Sequence, residues 1–177
     1  MLRTIFVFGG IAGLIVGVPL FVMTVGLKGH PPMPWGMAIG YTTMLIALSA
    51  VFVAIKRRRD VEGGGVIRFW PAFGMGLAIS LVAGVIYVLA WEAALAVSGI
   101  DFAADYGREV IAQKRAAGAS AAELATLTKD MAAFATQYAD PLYRLPMTFT
   151  EIFPVGVLVS LISAALLRNP RFLPARR

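Results

Sequence analysis

Apolar residues run almost unbroken through four long stretches of the chain: Thr4 to Leu27, Trp35 to Ile55, Phe69 to Trp91 and Leu145 to Leu167. Polar residues gather between them. Inside these stretches the only formally charged residue is Glu151, and Glu92 follows directly after the third. At about 1.5 Å rise per residue, roughly 20 apolar residues cross a hydrocarbon core of about 30 Å, so each stretch can span a bilayer as a helix. The pattern predicts an all-α integral membrane protein, a single membrane domain over residues 1–177 with four transmembrane helices. Although Arg3 precedes the first stretch, that stretch is too long for a signal-peptide core. Its end, Val25-Gly26-Leu27-Lys28, also offers no small-residue cleavage site, so a retained helix is expected.

Residues 98–144 follow a different rhythm. Phe102, Tyr106 and Val110 recur every fourth residue until Gly118 and Ala119 interrupt. Ser120-Ala121-Ala122-Glu123 reads as a capping box, in which the serine accepts from a backbone amide while the glutamate reaches back. Leu124, Leu127, Met131, Phe134 and Tyr138 then follow at helical spacing to Asp140-Pro141. Two short amphipathic helices, an external hairpin between the third and fourth spans, are predicted. The apolar stripe packs either within the hairpin and on the bundle or against another protein.

Small residues four apart mark every span: Gly9, Gly13 and Gly17; Gly36 and Gly40; Gly76, Ser80 and Gly84; Gly156, Ser160 and Ala164. Such stripes let helices approach closely, inside one bundle or across a homodimer face. Gly63-Gly64-Gly65 breaks the chain before the third span. Phe69 and Trp70 then fall at headgroup level, with Trp35 and Trp91 at the opposite ends of their spans, as in an aromatic belt.

Composition agrees with this layout. Hydrophobic residues make up 59% of the chain, charged residues 15%, and the mean hydropathy is +0.77, where about 25% charged residues is usual for soluble domains. The net charge of +6 sits beside the spans, so anionic lipid headgroups account for it and nucleic acid is excluded as a partner. Of the 16 Lys and Arg, ten lie on the side of the termini and the loop after the second span. The other six are Lys28, Arg108, Lys114, Arg115, Lys129 and Arg144. The run Lys56-Arg57-Arg58-Arg59 in a short loop is the strongest orienting signal. Both termini are therefore expected in the cytoplasm, with residues 98–144 outside. Lys56, Arg57, Arg58, Arg59 and Arg68 are expected to contact lipid headgroups.

Several strings give the chain a resemblance. Gly40-Tyr41, Lys56-Arg57-Arg58-Arg59-Asp60, Gly64-Gly65-Val66-Ile67-Arg68-Phe69, Trp91-Glu92 and Asp101-Phe102 are among them. The most specific is Thr148-Phe149-Thr150-Glu151-Ile152-Phe153-Pro154-Val155-Gly156, followed by Ser160-Leu161-Ile162-Ser163-Ala164. Nearly end to end, the chain resembles a family of bacterial membrane proteins filed as domain of unknown function 4199. The resemblance implies a multi-pass location, in a bacterial inner membrane, and this four-span layout. It carries no catalytic residues or cofactor.

Little in the sequence points to catalysis. There is no Cys, no Gly-rich phosphate loop, no HExxH and no Gly-x-Ser-x-Gly elbow, so no metal, cofactor or catalytic residue is assigned. His30, the only histidine, reads as a loop residue. Glu92 and Glu151 fall in the outer part of the membrane, near the depth of Tyr41 and Tyr87, and these four form a candidate polar or ion site. An ionisable group within a span costs about 2.5 kcal/mol or more, so it should face the bundle interior with a partner. Glu151 is expected beside Tyr41 or Tyr87. Glu92 either joins that site or reaches the headgroups. The reading is a non-enzymatic accessory or interaction protein, a homo-oligomer or the partner of another membrane protein. The alternatives are a small proton- or cation-coupled transporter using these carboxylates and, third, an enzyme acting on lipid.

Overall fold

The computed structural model describes residues 1–26 and 35–174. Lys28 and His30 in the first loop, and Arg176 and Arg177, lie outside the described residues. Six helices follow in order: α1 (Leu2–Gly26), α2 (Gly36–Val61), α3 (Phe69–Ser98), α4 (Phe102–Ala116), α5 (Ala121–Tyr138) and α6 (Pro141–Leu167). Helices α1, α2, α3 and α6 are each long and apolar enough to cross a membrane. Their 25, 26, 30 and 27 residues correspond to about 38–45 Å, which exceeds the hydrocarbon thickness. Hydropathy marks where lipid begins, but a helix satisfies its own backbone bonds and continues until something stops it. Thus α2 runs on through the cationic run to Val61, before the Gly63–Gly65 turn, and α3 passes Trp91 to end at Gly99, whose φ of 61° suits glycine. Helix α6 begins early, where Asp140 accepts from the Leu142 amide and Pro141 occupies the first turn.

The four long helices form a bundle in the cyclic order α1, α3, α6, α2, with α2 also reaching α3 across the middle. Three of the four small-residue stripes close its seams. A Cβ on Gly9 would lie 2.6 Å from the Val82 side chain, one on Gly13 2.6 Å from Ile86, and one on Gly17 3.0 Å from Ala90. Only glycine lets α1 approach α3 this closely. Across the α3–α6 seam, Gly76 faces Ser160 and Gly156 faces Ser80, each at 2.7 Å or less from a would-be Cβ. Both serine hydroxyls turn back to carbonyls of their own helices, Gly76 and Gly156. These stripes serve the bundle itself, as the intramolecular reading expected. Gly40 in the remaining stripe does not, because among the described residues nothing lies within 4 Å of a Cβ there.

The bundle tapers. Buried residues in α1 stop at Gly17 and those in α2 start at Met44, whereas α3 buries residues from Ala72 to Ser98. The core of Ala12, Ala47, Leu48, Val51, Ile79 and Ala83 is fully enclosed. Beyond it, the hairpin-side ends of α1 and α2 separate.

Helices α4 and α5 pack on each other as the predicted hairpin. Phe102, Val110, Leu127, Met131 and Phe134 are all half-buried, and Gly107 brings α4 against Met131. The apolar stripe is therefore occupied within the hairpin. The capping box forms as read: the Ser120 hydroxyl oxygen accepts from the Glu123 amide, and the Glu123 carboxylate accepts from the Ser120 amide at 2.7 Å.

Candidate functional site

Charged and aromatic side chains meet at three places, and the sequence foresaw part of each. At the hairpin base, Arg144 at the start of α6 donates to both Glu92 oxygens on α3, from Nε at 2.7 Å and Nη2 at 2.6 Å. A third guanidinium donor reaches the Tyr138 carbonyl at 3.2 Å, and the guanidinium lies 5.7 Å from the Tyr138 ring centroid. Glu92 is thus neutralised by a fork-shaped partner, a geometry that favours arginine. The Trp91 indole N–H donates to the Tyr138 hydroxyl at 2.7 Å, and Trp91, Phe102, Tyr106, Phe134 and Tyr138 form one aromatic cluster. Burial holds the Tyr138 phenol above its ordinary pKa, against the opposing pull of that indole bond. Trp91, expected in an open aromatic belt, is drawn under the hairpin. Trp35 and Trp70 are the exposed ones, each at 74%.

The second place is the termini side. Arg59 departs from the expected headgroup contact because its side chain is completely buried. Its Nε donates to Asp60 at 2.7 Å, Nη1 to the Phe172 carbonyl at 2.8 Å and Nη2 to the Leu173 carbonyl at 2.5 Å. The segment after α6 is thereby strapped across the end of α2, with Phe172 set edge-on to Phe52. Asp60 also pairs with Lys56, and Arg58 with Glu62. Arg57 and Arg68 are exposed at the surface. A sequence signal for Arg59 existed. Leu48, Val51, Ile55 and Arg59 follow one another at three- and four-residue spacing, which puts Arg59 on the core-facing side of α2.

The third place lies where the bundle opens. A slot of about 150 Å³ separates α1, from Val16 to Thr24, from α2, from Gly36 to Met44, with Tyr87 of α3 as its floor. The Thr43 hydroxyl turns away to the Ile39 carbonyl, so the walls are almost wholly apolar. The buried Tyr87 donates its hydroxyl proton to Glu151 Oε2 at 2.9 Å. Of the four candidate residues, the fold joins Tyr87 and Glu151 alone. Glu92 is committed to Arg144, and Tyr41 is 49% exposed with no hydrogen bond to the pair. Glu151 is not enclosed; beyond its bond to Tyr87 it remains exposed on the bundle surface. Among the described residues no cation lies within ion-pair distance of it.

The family model described as "Protein of unknown function (DUF4199)" matches residues 7–169. The chain belongs to this family. No curated protein matches it, and no solved structure does. In this DUF4199 member the strings that carried the resemblance are the ones that build the three places. Arg59-Asp60 lies in the strap, Trp91-Glu92 at the hairpin base, and Glu151 beneath the opening. Within the Thr148–Gly156 string, Thr148, Ile152 and Gly156 face the core while Glu151 turns to Tyr87.

Proposed function

We propose that this protein is a non-enzymatic interaction protein of the bacterial inner membrane, with both termini in the cytoplasm and the α4–α5 hairpin as its docking arm outside. One observation carries the reading. Among the described residues the hairpin packs chiefly on itself and meets the bundle at its base, where Trp91 packs on Phe102 and bonds to Tyr138 and Arg144 reaches the Tyr138 carbonyl, leaving its length free for a partner. Its tip offers a shallow groove between Lys114 and Asp130. The ten-to-six cation split supports the orientation. Coupled transport has less support, because below Tyr87 the described interior is filled by Ala83, Ile79 and the close Ser80–Ser160 seam.

The test is affinity purification of the full chain in mild detergent, with co-purifying chains identified. A partner recovered with wild type and with Glu151→Gln, but lost with the groove variant Ala122→Arg/Thr126→Arg, supports docking by the hairpin. Recovery unchanged by the groove variant, or no chain above background, overturns it. A reporter active only outside the cytoplasm should work when inserted at Gly118–Ser120 and stay silent after Arg177. The opposite result reverses the orientation.

A further inference from the structure

The slot above Tyr87 combines two properties that packing alone does not explain. Its walls are apolar, and its floor is Tyr87, whose hydroxyl is bonded to Glu151 behind it. Gly40 leaves its side of the slot open, with nothing within 4 Å of a Cβ, and the Thr43 hydroxyl is bonded to its own helix. The floor is different. The Tyr87 hydroxyl proton is committed to Glu151 at 2.9 Å, which leaves the phenol oxygen as an acceptor, strengthened because it donates to a carboxylate. Behind it stands an acidic group with no cation partner among the described residues. The complement of such a site is a molecule with an apolar body and a cationic donor as its leading group. At about 30 Å³ for each water-sized group, a slot of about 150 Å³ admits about five such groups.

We propose that this slot binds a small lipophilic amine, its alkyl body between Leu20 and Ile39 and its ammonium on the Tyr87–Glu151 pair. The order of polarity selects this class over a phospholipid. A lipid of the same leaflet keeps its head at the membrane surface and would bring an acyl tail, not a donor, to Tyr87. The amine hydrogen-bonds to the phenol oxygen, and the carboxylate supplies the countercharge that the surrounding helices lack. This inference is independent of docking by the hairpin.

The probes are pentylammonium, pentanol and pentanoate, titrated calorimetrically into the full chain in detergent. Pentylammonium should bind saturably and about tenfold or more tighter than pentanol, the scale of one charged hydrogen bond, with pentanoate weakest. Gly40→Leu, whose Cβ has room and whose branched end would occupy the slot, should abolish saturable binding of all three. Glu151→Gln and Tyr87→Phe should retain pentanol and lose the preference for the amine. The groove variant Ala122→Arg/Thr126→Arg should bind pentylammonium as wild type does, so that failure of the docking reading and failure of this one are separable. Equal uptake of the three probes, or amine binding that survives both Gly40→Leu and Glu151→Gln, overturns the proposal.

Discussion

At the end of the bundle that carries the termini, the buried charge is fully engaged. Arg59 holds two carbonyls and a carboxylate, and Ser80 and Ser160 bond to their own helices inside a glycine seam. At the hairpin end, α1 and α2 bury nothing completely beyond Gly17 and before Met44, and an acidic side chain rests on one tyrosine. Residues of the same kinds build both ends: glycines four apart, hydroxyls and one prominent charge. Whether the neighbouring helix is close enough to use them makes the difference. A glycine facing Ile86 at 2.6 Å from a would-be Cβ is a packing residue, whereas a glycine facing nothing is an opening.

The largest effect should come from the closed end. Arg59→Met leaves the Phe172 and Leu173 carbonyls without their donors and Asp60 without its buried partner. Thermal unfolding in detergent should show a loss of about 3–5 kcal/mol, the usual result of breaking a buried charged network. The matched change at the other end, Glu92→Gln, touches a pair that is 17% and 27% exposed and should cost about 1 kcal/mol. Equal losses would mean that the two ends are equally closed.

A glycine pair sharpens the contrast at smaller scale. Gly13→Leu forces a side chain into Ile86 and should destabilise by about 1–3 kcal/mol. Gly40→Leu should be neutral or stabilising by up to about 1 kcal/mol, since its Cβ meets no described neighbour and it improves helix propensity. Next comes Tyr87→Phe, which deletes the only hydrogen bond to the Glu151 carboxylate among the described residues. Interhelical bonds of this kind in membranes are worth about 0.6 kcal/mol on average, and a loss several times larger would show that the open end depends on this bond as the closed end depends on Arg59.

The smallest effect lies in the hairpin. The Ser120 amide and hydroxyl donate to the Glu123 carboxylate and hold it below its usual pKa. A carboxyl depressed in the folded state stabilises above its unfolded pKa, and that contribution disappears as pH falls through the folded value. Acidification through and below the ordinary carboxylate range should therefore raise amide hydrogen exchange in the first turn of α5, while the α1–α3 seam stays protected. Glu123→Gln should show the raised exchange already at neutral pH.

The spans were legible because about 20 apolar residues have few other uses, and the hairpin because Ser120 and Glu123 spell a helix start. The helix ends were not, since backbone hydrogen bonding ignores the lipid boundary: α3 passes Trp91 and stops only at Gly99. Depth alone placed Glu151 beside Tyr41 or Tyr87, and only the packing of α3 on α6 selects Tyr87. The partner of Glu92 was not, because Arg144 lies 52 residues away and only the relative placement of α3 and α6 brings them together. In the run from Lys56 to Arg59, four adjacent cations look equivalent, yet successive helical residues point about 100° apart and one must turn inward. Charge counting along the chain sees the run, while the phase set by Val51 and Ile55 singles out the member that is buried.

Arg59 also imposes a schedule. Phe172, whose carbonyl it holds, follows 113 residues later. At bacterial or eukaryotic elongation rates of roughly 5–20 residues per second, about 6–23 s separate the synthesis of the two partners. Throughout that interval the guanidinium has no strap to close on, and it should stay in water or among headgroups while α3 and α6 are inserted. Closure of this end is therefore a late event in biogenesis, and a nascent chain stalled before Phe172 should carry an Arg59 still open to modification by an arginine-reactive dicarbonyl.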